Sequence, residues 1–207
     1  MIEIDHVILL TSDLDRAAEF MLAEHGLASV AGGRHPGHGT GNRIIPLGSD
    51  YVELMAVVDQ AEAEASPLGR WALEGRSTGL TPAAVSLRTD DIEAVARALG
   101  ESPETMSRQD SDGRKHRWRL AGLEGMLGPQ RLPFFIQWDV EKTDHPARAA
   151  APHRMTPHGI SEVQIGPAGP VVMPLLDGLP AVTVGSGVPG VRSVTIATDE
   201  GDIVLSG

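Results

Sequence analysis

Three stretches of the sequence hold side chains able to do chemistry together. In IEIDHVILL (2–10), alternation with a period of two sets Val7 and Leu9 on one face and His6, Ile8 and Leu10 on the other. In YVELMAV (51–57) the same rule groups Val52, Leu54 and Ala56 against Tyr51, Glu53 and Met55. An imidazole and a carboxylate on the enclosed faces of two strands are donors of the kind that hold a divalent ion; His6 and Glu53 read equally as a structural pair. The third stretch, GGRHPGHGTGNRIIPLG (32–48), has His35 and His38 three apart among six glycines. It contains neither GxxxxGK[ST] nor a glycine fingerprint opening a helix, which argues against a nucleotide-phosphate cradle. It reads as a hairpin loop whose tip reaches the rim of whatever the strands enclose, with His35 ahead of His38 as a contributor.

The elements that must position these side chains form a repeat. The strand 2–10 leads into a helix, LDRAAEFMLAEHG, with Ser12 or Asp13 as cap and Gly26 as stop, and strands follow at LASVAGG, NRIIPLG and DYVELMAVV. This βαβββ order recurs at an offset of 78 residues, where AAVSLRTDDIEAVARALG supplies strand, cap and helix and HRWRLA and LPFFIQWD supply strands. At twice the offset ISEVQIG opens a third, shorter β-unit, whose helix PVVMPLLDG is interrupted by Pro174. The expected organisation within one compact domain is a first module at 1–59, a connector with a short helix at 60–80, a second module at 81–140, a linker at 141–158 and the third unit at 159–207.

Composition narrows the function classes. Seventeen basic against 28 acidic residues give a formal charge of −11, which disfavours nucleic acid and anionic membranes as partners. The one dense basic run, RKHRWR (114–119), follows the turn sequence SDG and reads as a solvated hairpin face. The chain has no cysteine, no basic leader before its first apolar run, and no apolar stretch near the ~18 residues that span a bilayer. A cytoplasmic protein with a small-molecule substrate is expected, and edge strands with an odd number of units suit a homodimer.

The βαβββ repeat, IDHVIL with its histidine and YVEL with its glutamate resemble the vicinal oxygen chelate superfamily of glyoxalase I, extradiol dioxygenases and bleomycin-resistance proteins. GGRHPGHGTGN, SPLGRWALEG, DGRKHRWRLAG and LPFFIQWD resemble its glyoxalase-like branch of bacterial proteins. The resemblance implies an α+β fold of paired βαβββ modules forming a cup-shaped mixed sheet. It also implies a divalent metal (Zn, Mn, Fe or Ni) held by the first and last strands of each module. His6 and Glu53 match that pattern; Ala84, the second-module counterpart of His6, does not, which leaves His35, His38, Gln137 or Glu162 to complete a site. Tyr51, Met55, Phe135 and Trp71 are the expected apolar wall, and Arg88, beside Ser86, reads as an anion contact or half of an ion pair. The implied function is isomerase, lyase or dioxygenase chemistry on a small oxygen-bearing substrate, with Glu53 catalytic. The alternative is metal-free small-molecule sequestration of the bleomycin-resistance type.

Overall fold

The computed structural model describes residues 1–109 and 115–206. The first repeat folds as β1 (Ile2–Leu10), α1 (Leu14–His25), β2 (Val30–His35), β3 (Thr40–Pro46) and β4 (Tyr51–Val57). Helices α2 (Gln60–Ala65) and α3 (Pro67–Gly75) connect it to the second repeat: β5 (Thr81–Thr89), α4 (Ile92–Leu99), β6 (Glu104–Gln109), β7 (Lys115–Ala121), the short α5 (Leu123–Leu127) and β8 (Phe134–Trp138). The expected turn at 111–113 lies outside the described residues.

Both repeat helices start and stop by the same device. Asp13 accepts from the backbone N–H groups of Asp15 and Arg16, and Asp91 from that of Ala94. Gly26 and Gly100 end the helices in the left-handed conformation. The connector holds two helices rather than one, because Ser66 ends α2 and caps α3, with Pro67 at the first helical position.

The eight strands form one sheet in the order β2-β3-β4-β1-β5-β8-β7-β6, with β1 and β5 antiparallel at its centre. Each half is therefore a copy of the other about that seam, as the βαβββ repeat requires. Val7, Leu9, Val52 and Leu54 face the helices in one core, with Val85, Leu87 and Phe135 from the second half. Ile8, Leu10, Met55, Ala84, Phe134 and Ile136 line the opposite, concave side.

The last part of the chain forms a second sheet. Two short 3-10 turns lead to β9 (Pro157–Ile165), α6 (Gly169–Leu176), β10 (Val182–Val184), β11 (Val191–Thr198) and β12 (Ile203–Ser206), in the order β10-β9-β11-β12. Ile160, Val163, Ile165, Val194 and Ile196 join the helix-side core, so this sheet closes over the outer face of the same chain. His153 ties the linker down: its Nδ1 accepts from the Ala28 N–H at 3.0 Å and its Nε2 donates to the Pro46 carbonyl at 2.9 Å. Among the described residues no helix is long and apolar enough to cross a membrane.

Candidate active site

The floor of the cup is set by an irregularity in β1. Its pairing with β5 slips between Ile4 and His6, and Ile4 and Val7 both face the helix-side core. Asp5, fully buried, consequently turns toward the same region as its neighbour and meets His6 Nδ1 at 2.6 Å through Oδ1. Its other oxygen accepts from Trp138 Nε1 at 3.1 Å and meets His145 Nε2, on the linker, at 2.9 Å. Burial by itself raises the Asp5 pKa, but hydrogen bonds from His145 and His6, together with their charge, outweigh it and hold the carboxyl well below the usual carboxylate range. An ionised Asp5 fixes the proton of His6 on Nδ1 and aims Nε2 into the cup. The His6 ring is stacked on Tyr51 at 4.6 Å and edged by Phe134 at 5.8 Å.

Glu53 stands across from it on β4. Its Oε2 lies 3.4 Å from His6 Nε2, and its Oε1 lies 3.8 Å from His35 Nε2 and accepts from Asn42 Nδ2 at 2.7 Å. Asn42 is oriented from β2, because its Oδ1 accepts the Gly33 N–H at 2.8 Å. Only glycine fits at position 32, where a Cβ would come within 2.0 Å of Asn42 Oδ1. His35 is not at a loop tip: it is the buried last residue of β2, paired with Thr40, whose Oγ1 lies 2.9 Å from its Nδ1. The turn that follows is pinned to the connector helices by His38 Nδ1 at 2.8 Å from Ser66 Oγ and by the Gly37 N–H donating to Glu62. Two glycines of the 32–48 stretch thus hold a carboxamide against Glu53.

The rest of the lining is apolar and comes largely from the second half. Tyr51 and Met55 line the cup as expected, joined by Trp118, Trp138, Phe134, Ile136, Met106 and Met126 around a cavity of about 70 Å³. Several expected members lie elsewhere. Phe135 packs in the helix-side core and Gln137 accepts the Ile92 N–H at the start of α4, so Phe134 and Ile136 take the wall instead. The run FFI is apolar throughout and its alternation does not reveal its phase; a one-residue slip exchanges the two faces. Glu162, on β9 in the second sheet, is exposed and accepts from Thr183 and Gln164. Arg88 reaches past the strand end to Glu3 and the Ser49 carbonyl, in a separate polar cleft. Trp71, on α3, is buried in the cup-side core, behind the lining. Asp5, Asn42, Trp138 and His145 went unread in the sequence; the one available signal was Asn42 within HGTGN.

A profile of the glyoxalase-like domain family matches residues 4–173. The chain belongs to the glyoxalase-like domain family. Its fold is that of the vicinal oxygen chelate superfamily, with an added C-terminal sheet. Among solved structures it is similar to a hypothetical protein from Staphylococcus aureus, with 20% identity and a TM-score of 0.70 over 95% of this chain and 91% of that one. It is also similar to methylmalonyl-CoA epimerase from Streptomyces coelicolor in complex with 2-nitronate-propionyl-CoA, with 18% identity and a TM-score of 0.47 over 67% of this chain and 98% of that one. At these identities the likeness is one of fold. A comparison with curated proteins returns no match.

Members of this superfamily commonly bind a divalent metal with ligands from both halves, and the seam symmetry tests that directly. Ile8 pairs with Glu53 in the first half, and Ser86, its counterpart at the 78-residue offset, pairs with Phe134 in the second. The counterparts of His6 and Glu53 are therefore Ala84 and Phe134, neither of which is a ligand. Within the first half Asn42 already donates to Glu53 Oε1. Among the described residues no group of three or more His, Cys, Asp and Glu side chains is arranged to hold a metal ion. As they stand, these residues do not fit the family's metal site.

Proposed function

We propose that this glyoxalase-like protein is a proton-transfer enzyme, an isomerase or lyase, acting on a small molecule whose carbonyl or hydroxyl group meets His6 and Glu53. The observation that carries the reading is His6 Nε2 standing 3.4 Å from Glu53 Oε2 while Asp5 holds Nδ1 at 2.6 Å. With the Nδ1 proton directed at Asp5, a bare Nε2 lone pair would face a carboxylate in a cavity of low polarity. A proton shared across that gap relieves the repulsion. His6, supported as an imidazolium by Asp5, then donates to the substrate oxygen, and Glu53 Oε2, the oxygen Asn42 leaves open, takes the proton from the adjacent carbon. Asn42 and Gly33 keep Glu53 in position, and the apolar wall excludes water from the transfer.

The test is deuterium exchange, followed by NMR, at the carbon next to the carbonyl in a panel of small aldehydes and ketones. Exchange catalysed by the wild type is expected to fall by about 10²–10⁴-fold in His6→Gln and in Glu53→Gln. Exchange that survives both substitutions overturns the assignment. Metal analysis of protein purified without a histidine tag accompanies it: a stoichiometric ion lost in both His6→Ala and Glu53→Ala would put an ion, rather than a proton, between the two groups. A protein that binds its ligand without exchange is the sequestration alternative.

A further inference from the structure

The charges and size of the cup narrow what it accepts. Its lining places Glu53 at one end, with Asp5 buried behind His6, and among the described residues that line it there is no Lys or Arg. Arg88, which the sequence offered as an anion contact, is committed to Glu3 and Ser49 outside the cup. A carboxylate or phosphate entering here would lose its water, meet a buried negative charge, and find no guanidinium or ammonium to pair with. The imidazoles do not substitute, because a charge on His6 is already faced by Asp5 and Glu53, His35 lies against Thr40 and Glu53, and His145 serves Asp5. Most of the remaining surface is apolar, with Trp118, Phe134, Ile136 and three methionines among it, which favours a hydrocarbon body. The cavity of about 70 Å³ is under half of the roughly 150 Å³ known to hold benzene, so a compound of about six non-hydrogen atoms enters only as the flexible methionine walls yield, and larger bodies are excluded.

We infer that the cup selects an uncharged compound of about four to six non-hydrogen atoms, with an aliphatic body and one oxygen-bearing end, and rejects carboxylates of the same size. The inference rests on the proton-transfer reading of the same cup and names its substrate class.

The experiment compares isosteres that differ in charge, using the full chain and ligand-observed NMR titration. The probes are 3-hydroxybutan-2-one, which is neutral, lactate and pyruvate, which are anions with the same number of non-hydrogen atoms, and benzoin as a bulky neutral control. The neutral hydroxyketone is expected to bind at least about tenfold more tightly than either anion, with benzoin excluded. Glu53→Gln is expected to shrink the preference over lactate severalfold, because the repelling charge is gone. Met106→Trp, which fills the cup from the edge strand β6, is expected to abolish hydroxyketone binding. Anions binding as well as the hydroxyketone, no hydroxyketone binding, benzoin binding on a par, or indifference to Met106→Trp each overturns the inference. The two readings fail separately. Turnover of an anionic substrate removes the charge selection and leaves the proton chemistry, whereas selective binding without deuterium exchange does the reverse.

Discussion

Asp5 organises the floor of the site, since one buried carboxylate meets His6, His145 and Trp138. Its folded-state pKa lies below its unfolded value. The stability it contributes is therefore present at neutral pH and is lost as pH falls below about 4. Asp5→Asn keeps the shape but sets an amide N–H against ring and indole donors. It is expected to cost about 3 kcal/mol in urea denaturation at neutral pH, to flatten the acid limb of the stability curve, and to slow proton exchange by about 10²-fold or more. A variant with an unchanged acid limb would show that Asp5 is not the group that titrates. His6 and Glu53 were legible in the sequence because strict alternation put each on its strand's enclosed face. Asp5 was not, because a bulge breaks the alternation at that residue, and bulges leave no mark in a hydrophobic pattern.

At the scale of elements, the β2–β3 hairpin was read only in part. The strand LASVAGG was expected to end at Gly33, whereas β2 runs on to His35, and Gly32 makes room for a side chain from the neighbouring strand. Gly32→Ala is expected to destabilise the fold by about 1–3 kcal/mol through its contact with Asn42 and to reduce exchange by displacing Glu53. Combining it with Asn42→Ala is expected to recover part of that stability, so the two costs will not add; additive losses would show that the crowding is elsewhere. The two repeat helices, by contrast, were legible to within a residue of their caps, since Asp13, Asp91, Gly26 and Gly100 act through local backbone geometry. Strand β8 lies between these cases: its place in the repeat was readable, and its phase was not.

For the whole molecule, the two-fold pattern of the sheet was visible as a repeat offset, but the division of labour between its halves was only partly so. Ala84 signalled that the second half lacks a ligand; Phe134, the counterpart of Glu53, became evident only from strand register. The destination of the third unit was unreadable, because nothing local distinguishes a sheet that covers its own chain from one that pairs with another. That sheet is joined to the first at Asp50, which accepts the Ile160 N–H at 2.9 Å beside Gly159, whose φ of +103° brings β9 close. Burial raises the Asp50 pKa, so its protonated form favours folding and that contribution is lost as pH rises through the folded-state value. Asp50→Asn, which still accepts the Ile160 N–H, is expected to gain stability over the wild type as pH increases from about 4 to about 8. Urea midpoints at the two pH values check it, and a difference independent of pH would refute the assignment to Asp50.

The outermost strands of the eight-stranded sheet, β2 and β6, lie against each other but are not ladder neighbours among the described residues. A wall whose two margins meet without a ladder is the side on which separation of the margins would let a ligand pass. Occupancy of the cup at equilibrium is set by its lining. Substitutions along β6 outside the lining are expected to change an occupant's residence time while leaving its affinity unchanged, which dissociation rates check.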